Sequence, residues 1–260
     1  VGVGNVGRRV EAKAQALGLR VLRNDPPRER AEGPAGFVSL KQILAESDIV
    51  TLHVPLLREG PDRTLKLADA AFFAALRPGA IVLNASRGKI VEEAALRAAI
   101  QARGIAAILD VWETEQGISA ETLNLAALAT PHIAGYSFDG KIEGTRMIYR
   151  AACQALGQPA PWDPAPLLPP PSVPEISAPA AERSVESALD KIVSAVYAIR
   201  DDDSGLRRLA SAPPDALAEG FPRLRKDYPV RREFQHTRVA LAGDGANLGE
   251  ALRRLGFQVG

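Results

Sequence analysis

Three short segments of this 260-residue chain carry side chains that can move a proton and hold an anion: Ser86-Arg87-Gly88, Asp110-Val111-Trp112-Glu113-Thr114-Glu115 and Thr130-Pro131-His132-Ile133-Ala134-Gly135-Tyr136. Histidine can take a hydroxyl proton near neutral pH, and a glutamate beside it can orient the ring and stabilise its charged form. Arginine offers a planar fork that grips a carboxylate or a developing alkoxide. Each also has a plainer reading, with Arg87 a surface charge, the glutamate a helix-start carboxylate and His132 a satisfied loop histidine. Each segment follows an apolar run or sits on a loop, and that placement favours chemistry.

The elements that must position these residues are legible as alternating runs. Residues 48–54, 80–84 and 105–110 read as strands, and 40–45, 69–76 and 92–103 as the helices between them. That order predicts an α/β fold, a Rossmann-type doubly wound parallel sheet. Ligands of such sheets bind outside the carboxyl ends of the strands, so Val54, Asn84 and Asp110 are expected to face one crevice.

Upstream lies Gly2-Val3-Gly4-Asn5-Val6-Gly7, a dinucleotide fingerprint in which each glycine has its own task. Gly2 allows the tight turn, Gly4 lets the backbone approach a pyrophosphate, and Gly7 lets helix pack on sheet. The helix read from Arg8 to Leu17 would offer its amino-terminal N–H groups to the anion. A short strand, Arg20 to Leu22, then leads to Asp25, spaced to accept from a ribose 2′-hydroxyl and to repel a 2′-phosphate, which favours NAD over NADP. The alternative is an Asp that opens the Pro26-Pro27 turn, and Arg23, Arg28 and Arg30 leave NADP open. With no initiator methionine and little of the strand expected before the glycines, the chain reads as a fragment.

Composition sets outer limits. A 46% hydrophobic content supports a sizeable core, and no run approaches membrane-spanning length. The balance of 32 basic and 31 acidic residues gives no global field for nucleic acid or an anionic membrane, so any anion must be met locally. The single Cys153 forms no intramolecular disulfide, which agrees with a cytoplasmic location, and it reads as a small buried residue; a targeting peptide upstream stays open. No metal site is assigned. Prolines crowd residues 159–179, dividing a cofactor domain (1–158) from a small α+β tail (180–260) by a linker. In the tail, Val185, Leu189, Ile192, Val193 and Val196 recur at helical spacing, 238–242 and 247–255 read as strand and helix, and Gly243-Asp244-Gly245 reads as a turn.

The segments GVGNVG, NASRG, DVWETE and TPHIAG, in that order, resemble the D-isomer-specific 2-hydroxyacid dehydrogenases over about residues 1–150. The resemblance implies a catalytic set of Arg87, His132 and Glu115, the second glutamate of DVWETE rather than Glu113, with hydride passing to NAD. It implies cofactor contacts at Gly2, Gly4, Asn5, Val6 and Gly7, at Asp25, and along Val54, Ala85, Ser86, Arg87, Asp110 and Gly135. HIAGYSFDGKIEGT, the Asp25-Pro26-Pro27 turn and the tail segment YPVRREF are similar to one branch of that family. That likeness implies a phosphorylated hydroxy acid as substrate, Tyr136 as a substrate contact, and a C-terminal domain that makes a homodimer.

Two positions depart from the family pattern: Val54 stands where threonine is common, and Gln116 where proline often follows the second glutamate. The resemblance also implies a second lobe built mostly upstream of the glycines, against which Ile142, Met147 and Ile148 would pack. Arg146, Arg225, Arg231 and Arg232 are candidates for the substrate phosphate, each also readable as a surface charge. His53 reads as a packing or cofactor-side residue, and His236 has no evident partner. Two other functions fit the same residues: a related dehydrogenase for another hydroxy acid such as 3-phosphoglycerate, and a non-catalytic NAD-sensing protein.

Overall fold

The computed structural model describes residues 1–115, 117–178, 184–211, 214–241 and 246–260, the side chains of 214–216 excepted. In chain order the elements are α1 (Asn5–Ala16), α2 (Pro26–Glu32), α3 (Leu40–Glu46), β1 (Ile49–Leu52), α4 (Ala70–Ala75), β2 (Ile81–Asn84), α5 (Glu93–Arg103), β3 (Ala106–Leu109), α6 (Ala120–Leu125) and β4 (Leu128–Ala129). There follow α7 (Phe138–Ala155), β5 (Glu175–Ser177), α8 (Val185–Val196), α9 (Ile199–Ala210), α10 (Pro214–Lys226), β6 (Arg238–Ala240), α11 (Ala246–Leu255) and β7 (Gln258–Val259). They fall into two compact units, Val1–Ile133 with Arg200–Asp227, and Ala134–Ile199 with Tyr228–Gly260.

The first unit is built on a parallel sheet in the order β1-β2-β3-β4. One face of its strands is buried and the other is half-buried, exposed at Ile49, and both faces carry mostly apolar side chains, so the strands read as near-continuous apolar runs. Leu52, Val82 and Ala107 are fully buried, packed with Phe73, Leu96 and Leu123 of the flanking helices. Side chains start those helices: Ser39, Asp69 and Ser119 each accept the N–H three residues on, at Gln42, Phe72 and Thr122. The expected strand at residues 20–22 is absent as a strand; Gly2 N–H bonds Asn24 O at 2.8 Å, short of a ladder.

Residues 200–227 belong to this unit, not to the tail in which composition placed them, and residues 134–158 belong to the other unit. The reason is local. Asp203 and Arg207, an i,i+4 pair that looks like a solvated face, satisfy backbone groups at the β4 edge. Asp203 accepts the Ala129 N–H at 2.8 Å, and Arg207 donates to the Leu123 and Ala126 carbonyls at 2.8 Å each. Leu206 and Phe221 then enter the core at 0% and 2% exposure.

The second unit holds a sheet in the order β5-β6-β7, parallel throughout, so its connections are α/β where the sequence suggests α+β. Leu189 and Ile192 of α8, Leu252 of α11 and Val239 of β6 are buried, and Phe234 stacks on Phe257 with centroids 4.5 Å apart. The proline-rich stretch is largely exposed over its described residues and contains β5. Along α7, Met147 and Ile148 are 63% and 74% exposed, whereas Ile142 is half-buried. Cys153 is half-buried rather than buried. The Gly243-Asp244-Gly245 turn lies outside the described residues. No helix among the described residues is long and apolar enough to cross a membrane.

A buried charge cluster fastens the start of α7. The Asp139 carboxylate accepts from Arg232 Nε at 3.0 and 3.1 Å, from the Glu233 N–H at 2.9 Å, and lies 2.9 Å from His236 Nε2. Only 10% of the Asp139 side chain and 6% of that of Arg232 are exposed. Burial works to raise the Asp139 pKa, but the Arg232 hydrogen bond, the Glu233 amide and the His236 and Arg232 charges outweigh it and hold the pKa below its ordinary value. Asp139→Ala is expected to cost about 3–5 kcal/mol in urea unfolding followed by circular dichroism, because it strands a buried guanidinium. A depressed carboxylate pKa stabilises the fold above the ordinary value and loses that effect as pH falls through the folded value. The difference between wild type and variant should therefore shrink in strong acid.

Candidate active site

Steric contacts require glycine at two positions of the glycine turn. Gly2 has φ +81°, and a Cβ there would lie 2.7 Å from the His53 carbonyl oxygen. A Cβ at Gly7 would lie 2.0 Å from Gly2 O, so α1 can press on the turn only without one. At Gly4 a Cβ would meet nothing within 4 Å, so this face is open, and the N-cap of α1, Gly4 itself, makes no side-chain capping bond among the described residues. An open glycine face at an uncapped helix start is what a pyrophosphate needs, and the residues present fit one. Asn5 and Val6 are exposed there, Asn5 Oδ1 accepting from Arg8 at 2.9 Å.

Asp25 caps α2, where Pro26 and Pro27 begin a helix rather than a bare turn, and Oδ1 accepts the Arg28 N–H at 3.1 Å. Its Oδ2 accepts the Val3 N–H at 2.7 Å, so one carboxylate braces both the glycine turn and the next helix. Arg28 Nη1 donates to Val3 O at 2.6 Å. Val54 and His53 lie under Gly2 at the end of β1. His53 Nε2 is 2.9 Å from Thr51 Oγ1, and burial pushes its pKa down, which favours the neutral ring. That is a packing histidine. A cavity of about 250 Å³ behind this turn is lined by Val10, Leu22, Ile43 and Val50 among others and by none of Arg87, Glu115 and His132, so the reacting groups lie elsewhere.

The loops after β2, β3 and β4 interlock. Asn84 Oδ1 accepts from the Ser86 N–H at 3.1 Å and its hydroxyl at 2.8 Å, and Asn84 Nδ2 donates to Arg87 O at 3.0 Å. The turn carrying half-buried Ala85, buried Ser86 and exposed Arg87 is thus held by one amide side chain. Arg87 Nη1 donates to the Ser86 carbonyl at 2.7 Å. Next to it, Gly88 packs so tightly that a Cβ would lie 1.7 Å from Trp112 O, which ties this turn to the DVWETE loop. From β3, Asp110 Oδ1 accepts the Thr130 hydroxyl at 2.6 Å and the Ile133 N–H at 2.7 Å, and Trp112 Nε1 donates to Thr130 O at 3.1 Å.

These bonds set His132 between them, on a left-handed backbone with φ 58°, unusual for a residue other than glycine. Its Nδ1 lies 2.5 Å from Glu115 Oε1. The two glutamates of the loop are therefore distinguished by geometry. Glu113 exchanges bonds with Glu93 at the start of α5, Glu113 N–H to Glu93 Oε1 at 2.8 Å and Glu93 N–H to Glu113 Oε2 at 3.2 Å. Glu115 is the one on the histidine. Gln116 lies outside the described residues.

Gly135 and Tyr136 belong to the second unit, where Gly135 is exposed and Lys141 Nζ sits 4.0 Å over the Tyr136 ring. His236, which the sequence leaves without a partner, meets Asp139. Of the four arginines considered for an anion, Arg232 is committed to Asp139, Arg146 pairs with Glu143 at 2.5 Å, Arg231 lies over Tyr197, and Arg225 is 3.6 Å from Glu115. Sequence reasoning placed Asn84 at a strand end facing the crevice but not its bracing of the Arg87 turn, and it missed Glu93, whose only signal is a polar residue at a helix start.

Residues 1–134 match the NAD-binding domain of D-isomer-specific 2-hydroxyacid dehydrogenases, and the chain belongs to that family, with NAD as cofactor. It is 44% identical to an erythronate-4-phosphate dehydrogenase of Ectopseudomonas mendocina, over 98% of this chain and 67% of that protein. It is 45% identical to one of Salinibacter ruber, over 91% and 62%. The chain thus spans about two thirds of the length of these curated relatives. A D-lactate dehydrogenase with NAD⁺ from Lactobacillus jensenii superposes with TM-score 0.52 at 28% identity, covering 62% of this chain and 53% of that one. Residues 167–256 match a domain of unknown function.

Proposed function

We propose that the protein oxidises 4-phospho-D-erythronate to (R)-3-hydroxy-2-oxo-4-phosphooxybutanoate with NAD, a step of pyridoxal 5′-phosphate biosynthesis. The observation that carries this reading is the Glu115–His132 contact on loops of the parallel sheet, whose β1 end lies against the glycine turn. The names of the curated relatives support the substrate. NAD supplies the acceptor for the hydride that leaves C2. Glu115 holds Nδ1 of His132, which leaves Nε2 to take the C2 hydroxyl proton as general base. Arg87 holds the substrate carboxylate or C2 oxygen through its guanidinium. Asp110 keeps the His132 loop in place and, with Val54, Ala85, Ser86 and Gly135, lines the cofactor. Gly2, Gly4, Asn5, Val6 and Gly7 meet the pyrophosphate, Asp25 the ribose, and Tyr136 the substrate. A homodimer formed through the C-terminal part and a cytoplasmic location complete the proposal.

The test is an absorbance assay for NADH on the intact protein, with 4-phospho-D-erythronate and 3-phosphoglycerate compared side by side. NADH should form with the first and far more slowly with the second. Equal rates would move the substrate to another hydroxy acid. No turnover with either, together with partner binding that changes with NADH, would replace the enzyme with a sensor.

A further inference from the structure

Glu115 has two oxygens, and the proposed chemistry uses one of them. Oε1 meets His132, while Oε2 lies 3.6 Å from Arg225 Nη1, a charge contact rather than a hydrogen bond. Arg225 sits in the last turn of α10, outside the residues that match the NAD-binding domain and inside those that match a domain of unknown function. All three side chains belong to the first unit. The arginine arrives on a fastened support. Phe221, one turn earlier, is buried in the core with its ring centroid 6.0 Å from the guanidinium carbon, and Leu206 of α9 is fully buried beside it in the same cluster. Asp203 and Arg207 lock α9 to the end of α6 and to the edge of β4, the strand that precedes His132 in the chain.

We infer that α9 and α10 form a brace for the active site, and that Arg225 is a positioning residue that acts on His132 through Glu115. The inference rests on the Glu115–His132 reading given above. The terminal torsion of a glutamate is broad and roughly two-fold, so a single contact to Nδ1 leaves the carboxylate plane free to turn. A cation on the second oxygen narrows that freedom and holds the carboxylate as the imidazole's fixed partner. The charge of Arg225 is thereby directed at a carboxylate of its own chain, not at a substrate phosphate. The stretch without an assigned function gains a role in turnover separate from any role in assembly.

The experiment uses the intact protein with NAD and 4-phospho-D-erythronate. Arg225→Gln should lower kcat about 10- to 100-fold, the scale of a small misplacement of a reacting group, with the substrate KM nearly unchanged. Arg225→Lys should recover part of the loss, which separates the role from a folding defect. Added to Glu115→Gln, the Arg225→Gln change should cost little more, since its route is already cut. In the cofactor-free protein, ring-nitrogen NMR should show His132 as the Nδ1–H tautomer in the wild type and as a mixture in Arg225→Gln. A raised KM with kcat retained, losses that multiply in the double variant, or an unchanged tautomer would overturn the brace while leaving the Glu115–His132 reading standing. Full activity of Glu115→Gln alone would overturn both.

Discussion

His132→Asn is expected to lower kcat by about 10² to 10⁴-fold, the usual contribution of a general base, while leaving NAD affinity nearly unchanged. Asparagine is the informative replacement because His132 sits at φ 58°, a region that asparagine tolerates and alanine does not. Alanine would add a backbone penalty of about 1–3 kcal/mol to the loss of the ring, and the two effects would be confused. With asparagine, Asp110 still accepts from Thr130 and from the Ile133 N–H, so the loop keeps its anchor. Only the proton acceptor is gone. NADH formation gives kcat, and calorimetric titration of NAD gives affinity. Parallel loss of both would mean that His132 shapes the cofactor site and is not the base.

Gly88→Ala should disable the protein by a different route. The added methyl would lie 1.7 Å from Trp112 O, 2.0 Å from Trp112 C and 2.7 Å from the Glu113 amide nitrogen, all backbone atoms that cannot rotate aside. The turn that bears Arg87 must then separate from the loop that bears Glu115. Overpacking of this kind costs about 1–3 kcal/mol and sometimes more, and here the strain falls between two groups of the proposed reaction. The expected result is a lower melting temperature together with a loss of kcat larger than any change in NAD affinity. A variant with wild-type turnover would show that Arg87 and Glu115 need not be held by this contact.

Most of the first unit was legible because its signals are local. Strands apolar on both faces read as continuous runs, and capping residues such as Ser39 and Asp69 mark where helices begin. The glycine turn was legible for the same reason, since two steric demands, at Gly2 and Gly7, with an open glycine between them leave a pattern within six residues. What escaped has long-range causes. Pro26-Pro27 reads as a turn until Asp25 is seen capping a helix, and β4 is two residues long, too short for any period to appear. The division into units was misread because Asp203 and Arg207 look solvent-facing in sequence, while their partners lie more than seventy positions away. The resemblance already assigns Glu115 over Glu113; the residue pattern alone does not separate them, and the physical distinction is the reciprocal contact of Glu113 with Glu93, twenty residues upstream.

The clamp of Asp203 on the Ala129 amide also has a protective meaning. A terminal strand with unused main-chain groups invites pairing with whatever extended segment drifts past, and proteins guard such borders with charge or with a cover. Here one carboxylate fills the donor and two helices roof the flank, so the sheet ends where β4 ends. Losing that roof would bare both the strand and the greasy surface beneath it, and self-association would then compete with folding.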